Sequence, residues 1–387
     1  MFPRLRFKKF DSDWEKTTIG AKSETVTSGS RDWAQYYSDS GDKFIRMTNL
    51  VRNGINLDLS DLRFVQLPVG SNEGKRTSLE KGDILISITA ELGKLGWIPE
   101  GLGTAYINQH TALVRMKNTL DSKFVAYALS TEKYNNKLNS LNDSGAKAGL
   151  NLGSIRSFEL TIPSKPEQTQ IACFLSAVDE KISQLTQKHA LLSQYKQGMM
   201  QKLFSQQIRF KADDGSEFGE WEETELGKHC QIKTGKLDAN AMRPNGEFRF
   251  YTCAKEFYLI DEYAFDTEAL LISGNGANVG YIHYYKGKFN AYQRTYVLDQ
   301  WQQNIIFIQY FLEQFLKERI YGEKKEGNTP YIVLSTLSEM PLLLPCLAEQ
   351  TKIANFLSAI DQKIEVVAQQ IEQAKLWKKG LLQQMFV

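Results

Sequence analysis

Apolar residues recur every seven positions along two stretches of this chain. In the first, Ile171, Val178, Leu185, Leu192 and Met199 make one line, and Leu175, Ile182, His189, Lys196 and Leu203 the other. In the second, Ile353, Ile360, Val367, Ala374 and Leu381 run beside Leu357, Ile364, Ile371, Lys378 and Met385. Two apolar lines at heptad spacing belong to helices that pair as a coiled coil. The pattern predicts long helices over 166–205 and 348–387. Their expected seam is Ile171, Leu175, Val178, Ile182, Leu185 and Leu192 against Ile353, Leu357, Ile360, Ile364, Val367 and Ile371. Pro163 and Pro166 before the first stretch and Pro345 before the second act as start signals. At ~1.5 Å per residue, each helix extends roughly 57 Å.

The two stretches are copies of one sequence, set 182 positions apart. From Glu167 to Ile182 and from Glu349 to Ile364, twelve of sixteen pairs are identical, and Lys196/Lys378, Gly198/Gly380 and Phe204/Phe386 keep the phase. A repeat of this kind fixes the architecture as two copies of a domain followed by a helix. The equivalent lysines Lys196 and Lys378 decide the helix direction. A parallel pair in register would stack two ammonium groups inside an apolar seam, which is unfavourable, whereas an antiparallel pair keeps them at opposite ends. The competing arrangement packs each helix only on its own domain.

Between and before the helices the pattern changes to short alternating stretches, such as Ile84–Ile88 and Tyr292–Leu298, with Gly and Asn turns between them. These read as strands. The globular parts also align: Trp14-Glu15 with Trp221-Glu222, Leu85-Ile86-Ser87 with Leu271-Ile272-Ser273, and Gln109-His110-Thr111 with Gln293-Arg294-Thr295. Gly96-Trp97-Ile98 aligns with Gly280-Tyr281-Ile282, and Phe124, Tyr127 and Leu129 with Phe307, Tyr310 and Leu312 on a short helix. The expected fold is α+β: two strand-rich domains (1–165 and 206–347) separated by two long antiparallel coiled-coil helices (166–205 and 348–387), with a pseudo-twofold internal repeat. The loops Ser28–Trp33 and Thr234–Asn240 find no counterpart in the other copy by sequence.

Composition narrows the chemistry. Hydrophobic content of 42% and charged content of 24% are ordinary for a globular protein, and a net charge of +2 neither demands nor forbids a nucleic-acid partner. The four cysteines and four histidines form no CxxC, HExxH or other metal spacing, so no metal site is expected. The first ten residues lack the apolar run of a leader, and no run approaches the ~18 apolar residues of a membrane span. The cytoplasm is the expected location. None of the nine prolines is adjacent to another, which excludes the Asn/Asp-Pro-Pro-aromatic motif of amino-methyltransferases. Gly274 to Gly280 has the wrong spacing for a dinucleotide loop and reads as a turn between strands. No catalytic residue and no bound cofactor is expected of this chain.

The doubled Glu-Gln-x-x-Ile-Ala-x-Phe-Leu-Ser-Ala-(Val/Ile)-Asp-x-Lys-Ile motif resembles that of specificity subunits of type I restriction–modification enzymes. So does the Trp-Glu-(x)4-Gly pattern that opens each globular part. The resemblance covers the whole chain. It implies a non-catalytic, DNA-binding subunit of a phage-defence system, with 1–165 and 206–347 as target-recognition domains that each read half of a split site in double-stranded DNA. The helices would set the gap and dock two methyltransferase subunits that methylate adenine N6 with S-adenosylmethionine. Two restriction subunits, using ATP and Mg, would translocate and cleave unmethylated DNA. A free-standing transcription regulator reading a split operator is the alternative.

Base edges are read by Asn, Gln, Arg and Lys, and phosphates are held by Lys, Arg, Ser and Thr. On that basis the DNA-binding candidates in the first domain are Ser28, Ser30, Arg31, Arg46, Lys94, Gln109, His110 and Lys147. In the second they are Lys236, Asn240, Arg243, Asn275, Asn278, Gln293, Arg294, Lys324, Lys325 and Asn328. Gln109-His110 against Gln293-Arg294 is the sharpest pair, because equivalent positions carry different polar groups. The acidic stretch Asp213–Glu225 would repel phosphates and is expected to face away from DNA.

Overall fold

A computed structural model describes residues 3–89, 91–141, 149–323 and 330–386. The chain forms two compact units, one of residues 1–185 and 369–387, the other of residues 186–368. Each unit therefore takes one part of each long helix.

Unit 1 opens with β1 (Glu15–Thr18), the short helix α1 (Ile19–Lys22) and β2 (Ser23–Ser28). There follow β3 (Tyr37–Ser38), β4 (Asp42–Ile45), β5 (Arg63–Val65), β6 (Ile84–Ser87), β7 (Leu95–Trp97), β8 (Ala105–Ile107) and β9 (Thr111–Met116). Helices α2 (Ser122–Ser130), α3 (Glu132–Ser140) and α4 (Leu152–Ser157) lead to β10 (Glu159–Ile162) and into α5 (Lys165–Phe204). Pro166 lies within the first turn of α5, where its missing N–H has no intrahelical partner to lose. The strands form sheets of order β2-β9-β6-β7 and β3-β5-β4-β8, and β1 pairs with β10.

Unit 2 contains β11 (Glu222–Glu225), β12 (Gln231–Thr234), β13 (Phe248–Tyr251), β14 (Tyr258–Ile260), β15 (Phe265–Ser273), β16 (Ile282–Ala291) and β17 (Thr295–Asp299). These are followed by α6 (Ile305–Gly322), α7 (Leu334–Ser338), β18 (Pro341–Leu344) and α8 (Leu347–Met385). One sheet runs β12-β17-β15-β16-β13-β14, and β11 pairs with β18.

The same frame is built twice. The row β12-β17-β15-β16 repeats β2-β9-β6-β7, and the parallel pairing of β13 with the end of β16 repeats that of β4 with β8. One expected alignment shifts, and one expected length changes. Ile86 faces Leu95 and Ile272 faces Ile282, so the counterpart of Ile282 is Leu95, not Ile98. The connection in unit 2 is one residue longer, which sequence matching on the glycines hid. The helix carrying Phe307 and Tyr310 is also not short: α6 has 18 residues. In unit 1, Thr131 takes an extended conformation and accepts from the Tyr134 N–H, ending α2 and capping α3. Gln314 stands at the corresponding place in α6, and the helix continues.

In unit 1 the start of α5 and the end of α8 lie side by side and run in opposite directions. Ile171, Leu175 and Val178 share one core with Leu381, Met385 and Phe386, and with Trp14, Phe124 and Tyr127 of the domain. In unit 2, Met200, Leu203 and Phe204 of α5 share a core with Ile353, Leu357 and Ile360 of α8 and with Trp221 and Phe307. Each helix thus packs on a domain and on the other helix at once. Of the remaining seam candidates, Leu185, Val367 and Ile371 are buried and Ile182, Leu192 and Ile364 half-buried.

The seam lysines find acids from the repeated motif. Lys378 lies 2.5 Å from Asp179 in unit 1, and Lys196 lies 2.8 Å from Asp361 in unit 2. The Tyr127 hydroxyl donates to Asp179 at 2.7 Å and Tyr310 to Asp361 at 2.6 Å. Burial and the adjacent carboxylate push both phenols far above their ordinary value, so they remain donors.

The Glu-Gln of each motif anchors the helix starts. Glu167 is fully buried and takes two bonds from Arg6, at 2.7 and 2.8 Å. Glu349 takes the same pair from Arg209, at 3.1 and 2.7 Å, and a third bond from the Trp221 indole at 3.2 Å. Gln168 accepts from the Asp121 N–H and donates to the Pro163 carbonyl; Gln350 accepts from the Asn304 N–H and donates to that of Pro345. Asp121 and Asn304 cap α2 and α6, so each glutamine ties a long helix to a domain helix.

Candidate nucleic-acid interface

Antiparallel pairing brings the end of β2, the start of β9, the end of β6 and the start of β7 to one edge of the unit 1 sheet. The loops leaving that edge carry Ser28, Ser30, Lys94, Gln109 and His110. In unit 2 the equivalent edge carries Lys236, Asn275, Asn278, Gln293 and Arg294. Candidates drawn from distant parts of the sequence thus converge in each unit.

The register also gives the two loops that lacked counterparts a match. Ser28 faces Ala112 and the Gly29 N–H bonds to the Thr111 carbonyl; Thr234 faces Tyr296 and the Gly235 N–H bonds to that of Thr295. Gly29 is therefore the equivalent of Gly235, and Ser30 of Lys236. A Cβ on Gly29 would collide with the carbonyl oxygens of Ile107 and Asn108, and one on Gly235 with that of Ala291. Only glycine lets the two backbones approach this closely. A short shared core of one glycine between unlike residues is too little for sequence comparison to detect.

On these matched backbones the side chains differ. In unit 1, the Ser30 hydroxyl donates to Glu73, the Gln109 amide lies 3.0 Å from His110 Nε2, and His110 Nδ1 lies 3.0 Å from the Thr89 hydroxyl. With the amide donating to Nε2, the ring proton sits on Nδ1 and goes to Thr89. In unit 2, Lys236, Gln293 and Arg294 are exposed. Asn278 donates to the Cys253 carbonyl at 3.0 Å, and the Arg294 carbonyl accepts from the Gly274 N–H at 2.8 Å; among the described residues the Arg294 guanidinium forms no ion pair. Gly274 to Gly280 is the turn between β15 and β16, as its spacing indicates.

Some candidates are already paired with acids. Arg46 gives its guanidinium to Asp61 at 2.7 Å, and Lys94 lies 2.5 Å from Glu91, holding that carboxyl below the usual range. Arg243 is exposed, 4.0 Å from Asp261; Arg31 and Asn240 are exposed. Lys147, Lys324, Lys325 and Asn328 lie outside the described residues. Arg76 joins the unit 1 edge: its guanidinium donates to the Thr27 hydroxyl and the Ser28 carbonyl, placing a cation there. It is 48 residues from Ser28, and no local pattern marks it. Among the described residues no group of three or more His, Cys, Asp or Glu could hold a metal ion, and no helix is long and apolar enough to cross a membrane. In the acidic stretch, Asp213 pairs with Lys352 and Glu217 with Lys211, at 2.6 and 2.7 Å.

A frame built twice, with loop edges rich in unlike donors and acceptors, suits recognition of two different targets. A model of the type I restriction modification DNA specificity domain matches residues 12–194 and again residues 219–376. The chain belongs to that family. A type I specificity subunit of Escherichia coli, EcoDI, is 39% identical over 155 residues, 40% of this chain and 34% of that relative. The putative MjaX specificity subunit of Methanocaldococcus jannaschii is 26% identical over 423 residues, covering 98% of this chain and 94% of the relative. A crystal structure of a type I S subunit from M. genitalium covers 100% of this chain with a TM-score of 0.67 at 18% identity, which establishes the shared fold of this specificity-domain protein.

Proposed function

We propose that this chain is the DNA-recognition subunit of a type I restriction–modification complex and carries no catalytic centre of its own. Residues 1–165 and 206–347 act as target-recognition domains, each reading one half of a split site. Residues 166–205 and 348–387 set the gap and receive two modification subunits. Those subunits methylate adenine N6 with S-adenosylmethionine; two further subunits use ATP and Mg to translocate and cut unmethylated DNA. The observation that carries this reading is the pair of matched edges. Gln109-His110 and Gln293-Arg294 occupy equivalent backbone positions and present different hydrogen-bonding groups, which two different half-sites require. The free-standing regulator remains the alternative, but family membership favours the complex.

Methylome sequencing of cells with and without the gene tests the proposal. One bipartite methylated motif should vanish on deletion and return on complementation. An unchanged methylome, with selective DNA binding by the isolated chain, would favour the regulator instead.

A further inference from the structure

Unit 2 has five arginines, and three have a carboxylate partner: Arg209 with Glu349, Arg243 with Asp261 and Arg319 with Glu323. Among the described residues Arg249 and Arg294 form no ion pair. Arg294 is exposed, as a free cation should be, but Arg249 is half-buried. Its guanidinium lies 4.3 Å from the centre of the Phe257 ring and 4.5 Å from that of Tyr285. One terminal nitrogen donates to the Tyr251 hydroxyl at 3.3 Å. Two rings and one hydroxyl thus contact the group. Its remaining N–H groups meet no acid.

This cage adjoins the candidate edge. Tyr251 contacts the His283 ring at 5.0 Å between centres, and His283 donates to the Ala254 carbonyl at 3.0 Å. Next to Ala254, the Cys253 carbonyl holds Asn278, and the Cys253 thiol faces the Arg294 carbonyl at 3.4 Å. Phe257 itself is 42% exposed, so the cage opens to solvent. In unit 1 the equivalent of Arg249 is Lys43, as the registers Lys43–Ala105 with Ile45–Ile107 and Arg249–Phe289 with Tyr251–Ala291 show. Lys43 gives its ammonium to the Leu102 carbonyl at 2.5 Å. The cation is used up in one unit and left available in the other.

We infer that Arg249 is a DNA-reading residue of unit 2, presenting its guanidinium to a pair of adjacent acceptors on the duplex. This rests on the DNA-recognition reading above. Two sources offer such a pair: the O6 and N7 of a guanine, and two oxygens of one phosphate. A guanidinium matches either in two parallel bonds; a lysine keeps the charge that a phosphate needs but loses the paired geometry that reads a guanine.

The test uses the full chain co-expressed with its modification subunits, incubated with a randomised duplex pool and sequenced, followed by titrations at several salt concentrations. Arg249→Lys and Arg249→Gln are compared with the wild type. If the acceptor is guanine, both variants lose preference at one base pair of one half-site, by about 10- to 100-fold, with the other half-site intact. If it is phosphate, Arg249→Gln weakens binding on all sequences and lowers the salt slope by about one, while Arg249→Lys retains most affinity. Either result supports the assignment. Selectivity and affinity within twofold of wild type in both variants overturn it, as does a loss that only tracks a fall in folded fraction by circular dichroism. A wild type with no sequence preference would instead remove the DNA-recognition reading itself.

Discussion

Single side chains hold this protein's most expensive commitments. Glu167 and Glu349 are fully buried, and each is tolerable only because an arginine saturates both of its oxygens. Removing that arginine strands a buried charge. Arg209→Ala should therefore cost about 3–5 kcal/mol in urea unfolding, far more than removal of an exposed pair such as Lys81–Glu100. The repeated Glu-Gln was plain in the sequence, but its partners were not. Arg6 and Arg209 lie 161 and 140 residues away, outside the repeated stretch. The cysteines make a second case. Burial pushes the Cys230 thiol up to about 12, whereas Cys173 and Cys346 are exposed. A thiol reagent at pH 8 should label Cys173 and Cys346 first and Cys230 only on unfolding, as peptide mass spectrometry would show.

Elements owe their register to a few paired groups. Heptads predicted both long helices and their antiparallel sense, because a seam lysine cannot face its own copy. They could not predict that each lysine meets the motif's aspartate and a domain tyrosine, since Tyr127 and Tyr310 come from other helices. A double-mutant cycle on Lys378→Met and Asp179→Asn should give a coupling of about 0.5–3 kcal/mol. Additive losses would reduce the pair to a solvated contact. In the unit 2 sheet, burial lowers the His283 pKa below its ordinary value, disfavouring the charged ring. A depressed value means stability that is present above the unfolded-state pKa of ~6.5 and is lost as pH falls through the folded-state value. His283→Gln should flatten that acid limb of the melting curve. Equal acid sensitivity in the variant would assign the effect elsewhere.

For the molecule as a whole, the doubled domain-helix plan was legible because repeats survive in sequence at helical spacing. The convergence of the loops was not. It follows from the strand orders β2-β9-β6-β7 and β12-β17-β15-β16, which interleave distant segments. Under the proposed function, lengthening α5 should change the preferred gap between half-sites while each half-site keeps its sequence, as methylome sequencing would report. Unchanged gap selection would remove the helices from that role. Arg294→Ala should weaken selection mainly at one half-site, and equal loss on all sequences would mark a phosphate contact instead.

The crossing at Gly29 and Gly235 has one further implication. There the loop is secured by main-chain bonds to Thr111 and Thr295, and nothing in that attachment depends on which side chain follows at 30 or 236. Mutation can therefore rewrite the vocabulary of either reader without loosening its hinge to the sheet. Under the proposed function, such a protein can acquire new targets through changes confined to these side chains.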